Sequence, residues 1–127
     1  MDLEQNVKTL HNLGIPKGKF FIPPYEWYNS QIVKWADELG YLTYNYTSGL
    51  RTPADYTYPD MQNRYWSSER LMNQLRDYEI NHNLNGFIIL IHLGTDSKRK
   101  DKFYLKLEEI IDYLRSKKYN FVSLEKL

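Results

Sequence analysis

His92 is the residue of this chain best suited to moving a proton. It follows directly on the apolar run Phe87-Ile88-Ile89-Leu90-Ile91, and an imidazole titrates near neutral pH, as a general acid or base should. The alternative reading is a structural histidine capping the end of that run. Two other stretches hold groups that could face a substrate. In Pro23-Pro24-Tyr25-Glu26-Trp27-Tyr28-Asn29, two prolines fix the backbone and could aim a peptide N–H outward. The stretch 46–66 supplies Arg51, Asp55 and Asp60, and Leu93-Gly94-Thr95-Asp96 follows His92. His11 reads as a surface residue of a helix and His82 as the end of one. No His-x-x-x-His or His-Glu-x-x-His spacing joins the three histidines, so no metal site is legible. Nucleophile elbows and phosphate-binding glycine loops are absent as well.

Aromatic side chains surround these positions. The chain has 12 Tyr, 5 Phe and 3 Trp, concentrated in 20–28 and 41–66. Tyr and Trp join an apolar face to a polar tip, which suits either a half-wet surface stacked on a sugar ring or the edge of a Tyr-rich core. Charge excludes other partners. Lys and Arg number 17 against 16 Asp and Glu, so no net field draws the chain to nucleic acid or an anionic membrane. Without cysteine there is no disulfide, thiolate nucleophile or Cys-ligated zinc, and the redox compartment stays open. The longest apolar run, 87–91, is far shorter than the ~20 residues of a membrane span, and no leader-like segment opens the chain. The expectation is a soluble, unexported protein with no membrane partner.

The elements that must position these groups alternate. Leu3, Val7 and Leu10 predict a helix stopped by Gly14 and Pro16, followed by a strand at Lys19–Ile22. Ile32, Trp35, Ala36 and Leu39 line a second helix behind Asn29 or Ser30, with Gly40 as a left-handed end, and a strand at Tyr41–Asn45. Residues 46–66 show no periodicity; a connection this long is functional or disordered, and its aromatics favour function. Ser67 or Ser68 caps a third helix carrying Leu71, Leu75 and Tyr78. The continuously apolar 87–91 reads as a strand covered on both faces. Asp101 is expected to cap a fourth helix with Phe103, Leu107, Ile110, Ile111 and Leu114 in register, before a last strand, Asn120–Leu124. Strict alternation implies parallel strands and right-handed crossovers. The expected class is therefore α/β, a partial (β/α) barrel of about four βα units forming one domain over 1–127. A closed eightfold barrel needs ~250 residues, and Met1, almost inside the first helix, suggests a start in mid-fold. Such a half-barrel would leave its first and last strands unpaired and self-associate.

Phe20-Phe21-Ile22-Pro23-Pro24-Tyr25 and Ile89-Leu90-Ile91-His92 resemble the third and fifth motifs of the polysaccharide deacetylase (NodB homology, carbohydrate esterase) family. Lys118-Tyr119-Asn120-Phe121-Val122 is similar to the family's closing element, and Asn45-Tyr46-Thr47 through Pro59-Asp60-Met61 resembles a Bacteroidetes-type variant. The resemblance spans almost the whole chain and implies the C-terminal half of such a barrel. It further implies metal-dependent hydrolysis, with zinc or cobalt in the complete domain, of an acetyl group on a glycan. On that basis His92 is the acid that protonates the leaving amine, Leu90 lines the methyl pocket, and the Tyr25 backbone N–H holds the oxyanion. Pro24, Glu26, Trp27, Asn29, Arg51 and Asp55 join the substrate side. Members of the family are often periplasmic or extracellular.

The departures are as informative. The family's Asp-Asp and His-x-x-x-His motifs are not present, so no metal ligand is assigned. Ile22 stands where many relatives have arginine, and the fourth motif's Asp-Trp is not recognisable; Arg51 or Asp55 could substitute, or form a solvated loop ion pair. The expectation is a truncated or split deacetylase, inactive alone, whose partners are acetylated glycan and a second copy or a complementary N-terminal half. The alternative is a non-catalytic carbohydrate-binding or assembly module.

Overall fold

The computed structural model describes residues 2–126, which form two compact units, 1–45 and 46–127. In the first, helix α1 (Asp2–Asn12) leads to strand β1 (Phe20–Phe21), helix α2 (Ser30–Glu38) and strand β2 (Leu42–Thr43). Met1 lies outside the described residues. The two strands pair in parallel, Phe20 opposite Leu42 and Phe21 opposite Thr43, with α2 as the crossover. Asn29 starts α2 by accepting the Ile32 N–H at 2.9 Å, and Gly40, at φ +72°, turns the chain out of it. Burial here is thin: Ala36 is the one fully buried residue of α2, with Tyr41 and Pro23 also enclosed.

The second unit is built on helices α3 (Ser68–His82) and α4 (Leu107–Ser116), the latter entered through a 3-10 turn, Phe103–Lys106. Leu71, Met72 and Leu75 of α3 and Ile110 and Leu114 of α4 meet Leu50, Leu84 and Phe103 in one apolar core. Two more 3-10 turns, Thr52–Ala54 and Pro59–Arg64, organise the stretch that sequence left without structure. Arg99 binds that stretch to α3. It is fully buried, and its guanidinium donates to the carbonyls of Thr57 at 2.7 Å and Trp66 at 3.1 Å, to that of Asp101 at 3.0 Å, and to Ser68 Oγ at 3.1 Å. A buried charge of this kind is tolerated only when every donor is used.

The partial parallel barrel is overturned. Among the described residues the only sheet has two strands of two residues each, and the expected strands at 87–91 and 120–124 are not strands. A continuous apolar run does not by itself require a sheet. Phe87, Ile89 and Ile91 pack as half-buried residues against the helical core, and the backbone of Ile88 bonds to Thr47. The last segment leaves Phe121 and Val122 about half exposed. With no barrel there are no barrel edges, and the self-association argued from them loses its basis. Asp101 is also corrected: it serves α3, accepting the Ser68 N–H at 2.6 Å, and Lys102, not Asp101, precedes the Phe103 turn. No helix of the described residues is long and apolar enough to cross a membrane.

Candidate functional site

The structure joins two of the sequence-nominated residues directly. Asp55 is completely buried, and both its oxygens go to one residue: Oδ1 lies 2.6 Å from His92 Nδ1, and Oδ2 accepts the His92 backbone N–H at 2.9 Å. A carboxylate that meets both the ring and the backbone N–H of one residue favours the Nδ1–H tautomer, which leaves Nε2 to exchange a proton with a ligand. The His92 side chain is 33% exposed, enough for a ligand to reach it. Binding ring and backbone of the same residue fixes the imidazole against its own main chain. The solvated ion pair considered for this loop is thereby excluded for Asp55.

Local chemistry explains why Asp55 is so placed. Pro53, in the first turn of Thr52–Ala54, supplies a helical φ without needing an N–H partner there, and Asp55 closes that turn onto Thr52 at 3.0 Å. Thr57 Oγ1 donates back to Ala54 at 2.7 Å, while the Thr57 carbonyl is held by Arg99. At the other end, the Arg51 N–H donates to Gln74 Oε1 on α3 at 2.8 Å. Tyr56 sets its ring edge-on to His92 at 5.6 Å, and its hydroxyl accepts from Arg64 Nη2 at 3.2 Å. Leu90 is half-buried two residues before His92. Asp60 is exposed and faces Lys98 at 3.8 Å.

Elsewhere in the second unit, Asp101 accepts from the Tyr65 hydroxyl at 3.0 Å as well as from Ser68. Burial alone would raise the Asp101 carboxyl, but the Ser68 N–H, the Tyr65 hydroxyl and the Arg99 charge together hold it below its ordinary value. Tyr65 is displaced upward, first by burial and then by its bond to Asp101 and that carboxylate's charge.

The other nominated residues belong to the first unit. Tyr25 and Glu26 both adopt left-handed backbone, φ 57° and 59°, in a 3-10 turn between Pro23 and Trp27. Such a conformation costs about 1–2 kcal/mol per non-glycine residue and gathers at functional turns. The Glu26 carbonyl accepts from Asn45 Nδ2 at 3.1 Å, which fastens the strained turn. Tyr25 is 87% and Trp27 82% exposed, with Pro24 exposed beside them. Asn29 spends its side-chain oxygen on capping α2.

Sequence reasoning did not nominate Tyr56, Arg64 or Arg99. Arg99 sits in a charged run, Lys98 to Lys102, that reads as solvated surface, and no spacing rule links Asp55 to His92 across the chain. Comparison with family models, with curated proteins and with solved structures finds no match for this chain.

Proposed function

We propose that this chain takes part in deacetylating an acetylated glycan, with His92 as the proton donor to the departing nitrogen and Asp55 as the residue that holds it. The Asp55–His92 pair carries the reading. Once water has added to the acetyl carbonyl, the C–N bond of that adduct breaks: its electrons go to nitrogen, which takes the proton from Nε2, the carbonyl re-forms as acetic acid, and the ring returns to its neutral Nδ1–H form. Asp55 stabilises the imidazolium before that step without being protonated itself. A positioned acid of this kind contributes on the order of 10²–10⁴ in rate. The resemblance of Pro23-Pro24-Tyr25 and Ile89-Leu90-Ile91-His92 to deacetylase motifs, and the exposed Tyr25 and Trp27, support a glycan as substrate. No group of three or more His, Cys, Asp or Glu among the described residues could hold a metal. Only the proton-donating step is therefore assigned to the residues present.

The test is titration of ¹⁵N-labelled protein with N-acetylated chitooligosaccharide and with its deacetylated counterpart. Only the acetylated ligand should shift His92 Nε2; equal shifts, or none, reject the reading. The exposure of Tyr25 and Trp27 favours a second reading, a carbohydrate-binding module without turnover. In that case Trp27→Ala abolishes binding and His92→Asn leaves it intact.

A further inference from the structure

The apolar stretch that leads to His92 is bonded along one side only. From Phe87 to His92 the chain runs with neither turn nor bend. Phe87, Ile89 and Ile91 pack on the helical core, every second residue, as an extended backbone requires. In such a backbone the N–H and C=O of one residue point to one side and those of the next residue to the other. Ile88 commits both groups to Thr47, donating to its Oγ1 at 3.0 Å and accepting from its N–H at 2.9 Å, and the His92 N–H donates to Asp55 at 2.9 Å. The even-numbered side thus faces residues 47–55. On the odd-numbered side, the N–H and C=O of Ile89 and of Ile91 have no hydrogen-bond partner among the described residues, although both residues are half-buried. Phe87, Ile88 and Ile89 line a cavity of about 450 Å³ together with Asn120, Phe121 and Val122. The backbone of these last three is likewise without a partner among the described residues.

We infer that this cavity takes an extended peptide segment of a partner protein, which pairs with the Ile89–Ile91 side as an added strand. Backbone donors and acceptors removed from water are nearly always paired, and a strand laid along an open edge supplies both kinds of group at the right repeat. A lipid or other oil-like ligand would fill the cavity but leave those groups unmatched. Size agrees with a strand. At about 4.8 Å by 10 Å in cross-section and 3.3 Å per residue, a strand takes up about 160 Å³ per residue, so the cavity holds about three residues, the length of the open edge. The lining fixes the chemistry of the side chains. It is mostly apolar, with Lys118 its single charged residue, and Lys118 forms no ion pair among the described residues. The segment therefore turns apolar side chains to the cavity and a carboxylate to Lys118.

The experiment titrates the ¹⁵N-labelled full chain with capped hexapeptides in which Thr alternates with Val, Leu or Phe and one end carries Glu or Lys. Glu peptides should bind, shift the Ile89 and Ile91 amides and slow their exchange with solvent tenfold or more, while the Ile88 amide, already bonded to Thr47, changes less. N-methylation of alternate peptide amides removes donors without altering side chains, and in at least one of its two registers it should weaken binding tenfold or more. Val122→Asp, at a half-exposed position, should lower affinity to a similar degree, and Lys118→Glu should reverse the preference toward Lys peptides. Unchanged far-ultraviolet circular dichroism confirms that the variants fold. Equal binding by both methylated registers overturns the added strand, as does the absence of binding by every peptide at millimolar concentration. An unchanged preference in Lys118→Glu overturns the carboxylate. A dimer at micromolar concentration that protects the same two amides assigns the edge to a second copy and overturns the partner peptide.

Discussion

Replacing Asp55 by asparagine tests the pair at a single proton. The His92 backbone N–H can only donate, so the new amide must turn its oxygen toward it and its NH₂ toward Nδ1. The ring then has to accept at Nδ1, and the proton moves to Nε2. A hydrogen bond to a charged group contributes about 1.5–3 kcal/mol and a neutral one about 0.5–1.5. With His92 one-third exposed, the lower part of that difference applies, about 1 kcal/mol of stability. His92→Ala should cost more, about 2–3 kcal/mol. It leaves a carboxylate that is 0% exposed with a backbone donor alone, although water entering the gap offsets part of the 3–5 kcal/mol that a broken buried pair costs. Long-range ¹H–¹⁵N spectra read the tautomer directly, and urea titration reads the stabilities. An Asp55→Asn protein that keeps the Nδ1–H form, or that is less stable than His92→Ala, would show that the carboxylate does not govern the ring.

Arg99→Met should destabilise by about 3–5 kcal/mol in urea unfolding, because the carbonyls of Thr57 and Trp66 lose a buried donor. Asp101 is held below its ordinary 3.8, so its stabilisation is complete above that pH and is lost as pH falls through the depressed folded value. Asp101→Asn should flatten this acid limb of the stability curve. Gly49→Ala should cost about 2 kcal/mol by thermal unfolding, since φ is +127° and a Cβ would meet the Tyr78 ring at 2.6 Å. Tyr25→Gly should match or exceed the native stability by up to about 1 kcal/mol through relief of its left-handed backbone, while lowering glycan affinity in fluorescence titration.

The helices were legible because each writes its signal locally. Leu3, Val7 and Leu10 fell on α1, Asn29 and Gly40 bracketed α2, and Ser67 capped α3 with its hydroxyl on the Arg70 N–H at 3.2 Å. Of the four expected strands, those at 19–22 and 41–45 hold as the short parallel pair β1 and β2, while those at 87–91 and 120–124 misled: residues 87–91 are apolar for the sake of a helical core, and an apolar run does not state what covers it. For the site, His92 was legible by type and Asp55 by its place in a long loop. Their contact was not, since a carboxylate 37 positions away leaves no periodicity. Tyr25 was nominated for its backbone N–H and Trp27 for the substrate side, but no propensity scale announces that Tyr25 and Glu26 are two consecutive left-handed residues.

The buried Arg99 makes distant pieces of chain answer to one another. Its five N–H groups reach residues 57, 66, 68 and 101, so lifting any one stretch strands donors or acceptors on the others. The loop around Asp55 should then not fray strand by strand. Its amides should exchange with solvent together with the first turn of α3, as one cooperative opening unit rather than as a loop beside a helix.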